Sequence, residues 1–321
     1  MPIEIPKEKS AGTVRTVTLG ATKEQGGTRA RTLTLGGEAA LPYLDFEGSL
    51  PNPPGFAIEI RDRKPEDWSP LLYAAWGEAM DDPGDWARAA EAAGADLIYL
   101  VLSAAKPDGS KNDAANARAV VRKVLTATTL PIAVVGPGQA DLDNELIVAA
   151  AEEAKGERVL IGICEDKNYR TIVAAALAND HLVQSKTPMD VNLSKQLVIL
   201  IHDMGMPLER IVMDPTTGAL GYGIEYGYSV MERLRMAALQ GDTMTQQPMM
   251  VNPGEEAWKV KESRVGEGVP AAWGDWERRA LNWEGITATA LVHSGANLLV
   301  LRHPATLKRI RALVGDLRAA G

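Results

Sequence analysis

The chain of 321 residues holds a single cysteine, Cys164. One thiol allows no intramolecular disulfide. It falls short of the roughly four thiolates that bind an iron–sulfur cluster, and a cysteine-built zinc site is excluded on the same ground. Histidine is almost as scarce: His181, His202, His293 and His303 are all there is. No two of them have the i, i+4 spacing of a helical metal site, so no metal ligand is expected from this chain. Basic excess is missing too, with 34 Lys and Arg against 42 Asp and Glu. A net charge of −8 argues against nucleic acid or an anionic membrane as partner. The longest apolar runs, such as Leu97–Leu102, are far short of the ~20 residues of a membrane span. Met1 to Thr18 is charged and lacks the apolar core of a signal peptide, and a cytoplasmic protein is expected. Neither G-x-G-x-x-G after the first barrel strand nor G-x-x-x-x-G-K-[ST] occurs, which weakens nucleotide-binding folds.

What is present is a rhythm. Residues 1–54 stand apart as an extension. Thr13–Leu19 and Ala30–Leu35 show β-branched alternation around Gly26-Gly27, which predicts a β-hairpin. Such a hairpin ahead of a barrel is expected to plug the bottom of the cylinder. Pro51-Asn-Pro-Pro54 marks a break. From 55 to 321, short apolar runs alternate with helical periods. The predicted strands are Phe56–Ile60, Leu97–Leu102, Ile132–Val135, Val159–Ile163, His181–Gln184, Ile211–Met213, Pro248–Val251 and Leu298–Leu301. The predicted helices are Trp86–Ala93, Ala114–Leu125, Leu142–Ala154, Tyr169–Ala178, Val191–Met204, Ile224–Leu239, Trp276–Val292 and Thr306–Ala319. Near-continuous apolar strands suit a parallel sheet buried on both faces. Eight β–α units predict an α/β fold, a (β/α)8 TIM barrel with an N-terminal β-hairpin extension.

Function in such a barrel sits on the loops after the strands. The polar residues there include Arg61, Asp62, Ser103, Lys106, Glu165, Asp166, Lys186, Thr187, Asp190, Asn192, Asp214, Thr216, Thr217, Asn252, Arg302 and His303. They form no decisive catalytic set. Glu165, Asp166 and Asp214 suit an acid/base pair, but equally helix caps or partners of Lys186. Asp190 stands where a helix begins and suits an N-cap or a ligand contact. Cys164 ends a strand with no histidine placed to activate it, and a buried inert thiol is expected. The stretch Thr216-Thr-Gly-Ala-Leu-Gly-Tyr-Gly223 suits either a tight flexible loop or close backbone approach to a flat ligand or partner. Trp258, Trp273, Trp276 and Trp283 crowd the segment after the seventh strand, which carries a long insertion at about 253–276. They suit either a lid or docking surface, or packing of the insertion onto its own barrel.

Three segments together resemble a known family. They are Phe56-Ala-Ile-Glu-Ile-Arg-Asp62, the Val212-Met-Asp-Pro-Thr-Thr-Gly-Ala-Leu-Gly-Tyr-Gly223 run with Ile224-Glu-Tyr-Gly-Tyr-Ser229 behind it, and the tryptophan-rich insertion. Along essentially its whole length the chain resembles the small subunit of the corrinoid/iron–sulfur protein, the delta subunit of acetyl-CoA decarbonylase/synthase. The resemblance implies a heterodimer with a large subunit carrying the [4Fe–4S] cluster and the corrinoid (cobalamin). It implies a methyl group passed from methyltetrahydrofolate, through a separate methyltetrahydrofolate:corrinoid methyltransferase, to the cobalt of the corrinoid. From there the methyl goes to acetyl-CoA synthase/CO dehydrogenase in the acetyl-CoA pathway of carbon fixation. No D-x-H-x-x-G corrinoid signature surrounds any histidine, so this chain is expected to be non-catalytic alone and to cover a cofactor held by its partner. Thr187, Asn192, Thr216, Thr217, Gly218 and Arg302 are the residues expected on that cofactor-binding face, chosen by position. The alternative is a stand-alone pterin-dependent methyltransferase barrel holding its pterin with Asp190-Val-Asn192 and Asp214-Pro215. A lid-bearing hydrolase or aldolase would need a base. The lysines near strand ends, Lys106 and Lys186, do not sit inside apolar strands that would lower their pKa.

Overall fold

The computed structural model describes residues 6–319. Two short strands, β1 (Val17–Leu19) and β2 (Leu33–Leu35), pair antiparallel with Thr18 opposite Thr34. They are shorter than the alternation predicts, because flanking segments bond to other parts of the chain. Val14 N–H donates to Glu38 O, and Ala30 N–H to Thr129 O.

Eight parallel strands follow and close on themselves. They are β3 (Gly55–Arg61), β4 (Leu97–Val101), β5 (Ile132–Val135), β6 (Leu160–Cys164), β7 (Leu182–Lys186), β8 (Ile211–Asp214), β9 (Met249–Val251) and β10 (Ala296–Leu301). Neighbours in sequence are neighbours in space, and β10 closes the cylinder against β3. The helices alternate with them: α1 (Pro70–Trp76) and α2 (Pro83–Ala92), then α3 (Ala114–Ala127), α4 (Ala140–Glu153), α5 (Tyr169–Asn179), α6 (Val191–Asp203) and α7 (Ile224–Leu239). After β9 come α8 (Pro253–Lys259), α9 (Lys261–Arg264) and α10 (Trp276–His293), and α11 (Pro304–Ala319) follows β10. The α1 segment and the two helices inside the insertion are additions to the sequence prediction. Each is short, and helices of one or two turns carry too little periodicity to stand out.

Local chemistry starts these helices where the strands end. Asp82, Asp113, Asp190 and Asp275 each turn a carboxylate oxygen onto backbone N–H groups of the first turn of α2, α3, α6 and α10. Asn252 does the same for α8, with Pro253 at the first helical position. Such caps satisfy donors that the helix itself cannot.

Two apolar clusters result. The larger lies between strands and helices, around Ile58, Ile98, Leu146, Val198 and Leu299. The smaller fills the lumen: Ala57, Leu97, Leu160, Leu182, Val212, Met250 and Leu298 point inward, and Val17, Leu19 and Leu35 pack beneath them. The hairpin therefore closes the N-terminal end of the barrel, and only the C-terminal end is left to receive anything. None of the helices among the described residues is long and apolar enough to cross a membrane.

Candidate binding site at the barrel mouth

Side chains along a strand alternate between its two faces. Above the apolar floor, the next inward positions are Glu59 on β3, Tyr99 on β4, Gln184 on β7, Asp214 on β8 and Arg302 after β10. They form a polar layer across the lumen. Tyr99 OH donates to Gln184 Oε1 (3.0 Å), and Gln184 Nε2 donates to Asp214 Oδ2 (2.7 Å). Arg302 grips Glu59 with two bonds, Nε to Oε2 at 2.8 Å and Nη2 to Oε1 at 2.9 Å. Arg61 adds bonds to the same carboxylate from above. The Trp68 ring packs against both guanidinium groups, its centroid 4.5 Å from that of Arg302 and 5.8 Å from that of Arg61.

Over this layer opens a cavity of about 630 Å³. Its walls differ in chemistry. On the β4–β6 side Val101, Val135 and Ile163 face inward, continued by Gly136-Pro137-Gly138. On the β7–β9 side stand Lys186, Asp214, Thr216, Thr217, Asn252 and Glu255. Burial raises the Asp214 carboxyl above its ordinary range, and Lys186 and the Gln184 bond offset this only in part. Asp214 in turn raises the Lys186 ammonium against the opposing effect of burial, so Lys186 is charged at neutral pH. Burial also opposes ionisation of Glu255, yet Lys259, Arg302 and Lys186 bring it down to about 2.

The loop after β8 is held in an uncommon shape. Thr216 adopts φ 61°, a left-handed conformation that a β-branched residue rarely takes. Its N–H donates to Asp214 Oδ1 (3.0 Å) and its hydroxyl to Thr187 O (2.6 Å), which together fix it. Thr217 is buried, and its Oγ1 accepts from Asn252 N–H at 2.8 Å. Gly218 has no room for a side chain, since a Cβ there would come 2.4 Å from the Gly223 backbone.

The six residues expected on a cofactor face thus separate. Thr216 and Thr217 line the cavity. Gly218 is buried behind them and shapes the loop. Thr187 is buried, shares a hydroxyl bond with Ser194 at 2.8 Å, and lines a separate groove of about 390 Å³ between the loop after β6 and α6. Asn192 is exposed in the first turn of α6 and lines neither space. Arg302 is buried and is not among the cavity-lining residues; its guanidinium is spent on Glu59 and Trp68. Its position just past a strand end suggested the rim, but it lies in the polar layer beneath the cavity, held on Glu59. For the pterin alternative, Asp190 is the cap of α6 and Asn192 points to solvent, which leaves Asp214 alone at the cavity.

Other candidates have structural roles. Lys106 pairs with Asp113 at 2.6 Å. Asp62 accepts from Ser103 N–H and Asn112 Nδ2 and ties down the loop after β4. Cys164 is buried, and burial pushes its thiol far up. His303 stacks on Trp258, and burial brings it down to about 4. The four tryptophans pack on their own chain: Trp258 is buried, Trp273 meets Lys261 and Arg279, Trp276 Nε1 donates to Ser263 O and Trp283 Nε1 to Leu220 O, both near 3 Å. Among the described residues no group of three or more His, Cys, Asp or Glu could hold a metal ion.

Glu59, Tyr99 and Gln184 were missed as site residues because each lies inside a run that looks apolar as a whole. The signal was the period of two: Ala57-Glu59-Arg61 and Leu182-Gln184-Lys186 put polar groups on the inward face of their strands.

Fold and site together define a (β/α)8 barrel with a sealed base and a polar, largely self-paired mouth. Solved structures of the same fold include dihydropteroate synthase from Coxiella burnetii in complex with pteroic acid, with a TM-score of 0.57 and 13% identity over 88% of this chain and 99% of that one. The Thermus thermophilus dihydropteroate synthase is similar, with a TM-score of 0.55 and 16% identity over 95% of this chain and 99% of that one. At these identities the likeness concerns the fold alone. The family is decided by sequence. Residues 16–312 match the model of the CO dehydrogenase/acetyl-CoA synthase delta subunit, and the chain belongs to that family. It is 38% identical to the acetyl-CoA decarbonylase/synthase complex subunit delta of Archaeoglobus fulgidus, over 98% of this chain and 71% of that protein. It is 37% identical to subunit delta 1 of Methanosarcina thermophila, over 95% and 72%.

Proposed function

We propose that this chain is the barrel subunit of a corrinoid-dependent methyl carrier within an acetyl-CoA decarbonylase/synthase complex. It pairs with a larger, cysteine-rich subunit that holds the corrinoid and the [4Fe–4S] cluster. That heterodimer receives its methyl group through a methyltetrahydrofolate:corrinoid methyltransferase and delivers it to acetyl-CoA synthase/CO dehydrogenase. The observation that carries this reading, beside family membership, is how fully the acids and bases of the barrel mouth are engaged with one another. Glu59 is held by Arg61 and Arg302, Glu255 and Glu256 by Lys259, and Asp214 by Gln184 and the Thr216 amide. A general acid or base needs a free proton-transfer partner at a substrate atom, and this mouth is built to hold its shape instead.

The corrinoid, when bound by the partner, supplies the cobalt that carries the methyl group. The donor chemistry of the mouth suits such a group: the Lys186 ammonium and the threonine hydroxyls can meet the amide side chains that fringe a corrin ring. In this reading Thr216 and Thr217, with the Gly218–Gly223 loop, form the covering face. Asn192 lies at the outer rim, Thr187 anchors Thr216 from behind, and Arg302 stiffens the wall through Glu59. The role of this chain is to orient the cofactor and exclude water from it.

Co-expression with a cysteine-rich, corrinoid-binding chain tests the reading. A stable heterodimer is expected, with corrinoid absorption bands that shift when Thr216 and Thr217 are both replaced by tryptophan. Failure to form the complex overturns the proposal. Turnover of methyltetrahydrofolate with free cobalamin by the isolated chain would favour the pterin-dependent barrel instead.

A further inference from the structure

Lys186 is the exception in the paired mouth. Its neighbours act on it through charge alone: Asp214 foremost, then Glu255, Glu165 and Glu256. Among the described residues its ammonium has no hydrogen bond and no carboxylate within the 4.0 Å of an ion pair. It offers three N–H donors, and its side chain is half-buried between the cavity and the groove beside α6. Its Nζ is reached by solvent rather than sealed, so a ligand that displaces water from it must supply acceptors in its place.

The charge of the surroundings restricts what that can be. At the wall itself one cation, Lys186, faces one carboxylate, Asp214, its strongest charge partner. A ligand that brings a donor and an acceptor together can meet both, whereas a carboxylate has no donor for Asp214 and an ammonium has no acceptor for Lys186. Lys186 and Asp214 are also direct partners in the β7–β8 register, so their side chains enter the lumen side by side. Asp214 has accepted two hydrogen bonds, and an ionised carboxylate has about four acceptor positions. The wall therefore presents a donor beside an acceptor. The complement is a carbonyl beside an N–H, which is the edge of a carboxamide. Opposite lies the apolar surface of Val101, Val135 and Ile163, suited to a hydrocarbon body.

We infer that the Lys186–Asp214 pair is a reading site for a neutral carboxamide, whose oxygen accepts from the Lys186 ammonium and whose N–H donates to Asp214 Oδ1 or Oδ2. The site stands on the geometry of this chain. A peripheral amide arm of the partner's corrinoid would fill it if the proposed function holds, and a free small amide would fill it otherwise.

The isolated chain is titrated by calorimetry with cyclohexanecarboxamide, cyclohexanecarboxylate and cyclohexylmethylammonium, which share a body and differ in charge. The amide should bind at least tenfold more tightly than either ion, and Lys186→Met should abolish that preference. Circular dichroism checks the fold of the variant. Should the single change unfold the chain, the Lys186→Met/Asp214→Asn double variant removes one charge of each sign and is expected to lose the same preference. No binding of the amide, equal binding of the three probes, or an unchanged preference in the variants overturns the inference. A second arm uses the heterodimer with a corrinoid whose peripheral amides are hydrolysed to carboxylates. Weaker retention of that corrinoid by the wild-type complex, equalised by Lys186→Met, identifies the corrinoid arm as occupant. Equal retention, with amide binding to the isolated chain intact, identifies a free amide. Complex formation tests the proposed function, and probe binding tests the site, so the two can fail separately.

Discussion

The two ends of the barrel lumen are built on opposite principles. At the N-terminal end, Leu19, Leu35, Leu97, Leu160, Leu182 and Leu298 are wholly buried and make a floor without charge. At the C-terminal end the inward positions carry Glu59, Tyr99, Gln184, Asp214 and Arg302, buried just as deeply. Apolar packing stabilises a fold directly, at about 25 cal/mol for each Å² removed from water. Buried ion pairs return little net stability, because desolvation cancels much of their attraction. The floor therefore holds the barrel together. The polar layer costs about as much as it returns, which is the pattern of a surface kept for what it binds.

That contrast can be broken from either end. The largest effect is expected from Arg302→Met, which leaves Glu59 buried with only the half-exposed Arg61 opposite. A loss of about 3–5 kcal/mol in urea-unfolding free energy should follow. The Glu59→Gln/Arg302→Met double variant should recover most of it. If the double variant is as unstable as the single, the layer stabilises more than the comparison allows.

From the other end, Leu35→Ala should cost about 3 kcal/mol through lost burial and a residual cavity. It should leave amide binding at the mouth unchanged. A parallel loss of binding would show that floor and mouth are one unit rather than two.

The base also contains a pH-sensitive group. His181 accepts from Val159 N–H through Nδ1, and its Nε2 meets Ala151 O at 2.8 Å. Burial lowers its pKa from 6.5 to about 4. Unfolded chains take up this proton near pH 6.5 and the folded chain only near 4. Its contribution is therefore present above pH 6.5 and lost as pH falls toward 4. Between pH 7 and pH 5 the wild type should lose about 2 kcal/mol that His181→Asn does not lose, read from urea midpoints at each pH. Coincident pH curves for the two proteins would remove His181 from the account.

The smallest effect is expected at the rim. Gly218→Ala places a methyl against the Gly223 backbone and should cost about 1–2 kcal/mol. The loop then shifts, and the Thr216 and Thr217 contacts with it. Amide exchange of residues 216–223 should rise while that of the floor stays as it was.

Much of the fold could be seen in the residues. Eight apolar runs, each closed by polar, Gly or Pro residues, mark strands that end in caps and loops, and all eight are barrel strands. The hairpin showed in its alternation, though long-range bonds trimmed its ends. Sites were harder. Thr216 and Thr217 stood in a conspicuous Gly-rich stretch and do line the cavity. Arg302 and Asn192 had the same claim by position, yet one lies beneath the cavity bonded to Glu59 and the other is exposed on α6. Adjacency to a strand end does not tell which way a side chain points, because one residue of offset reverses the face.

Composition and pattern alone determined that this chain has one thiol, too few to hold a cluster by itself, and that it folds as eight β–α units. Those conclusions need only residue counts and local periodicity. Which charges neutralise one another, and that Lys186 stands beside Asp214 with no protein acceptor among the described residues, was decided by tertiary structure. Glu59 and Arg302 are 243 residues apart, and only closure of β10 on β3 brings them into contact. A pairing across that distance depends on the radius and register of the barrel, which no local stretch of sequence encodes.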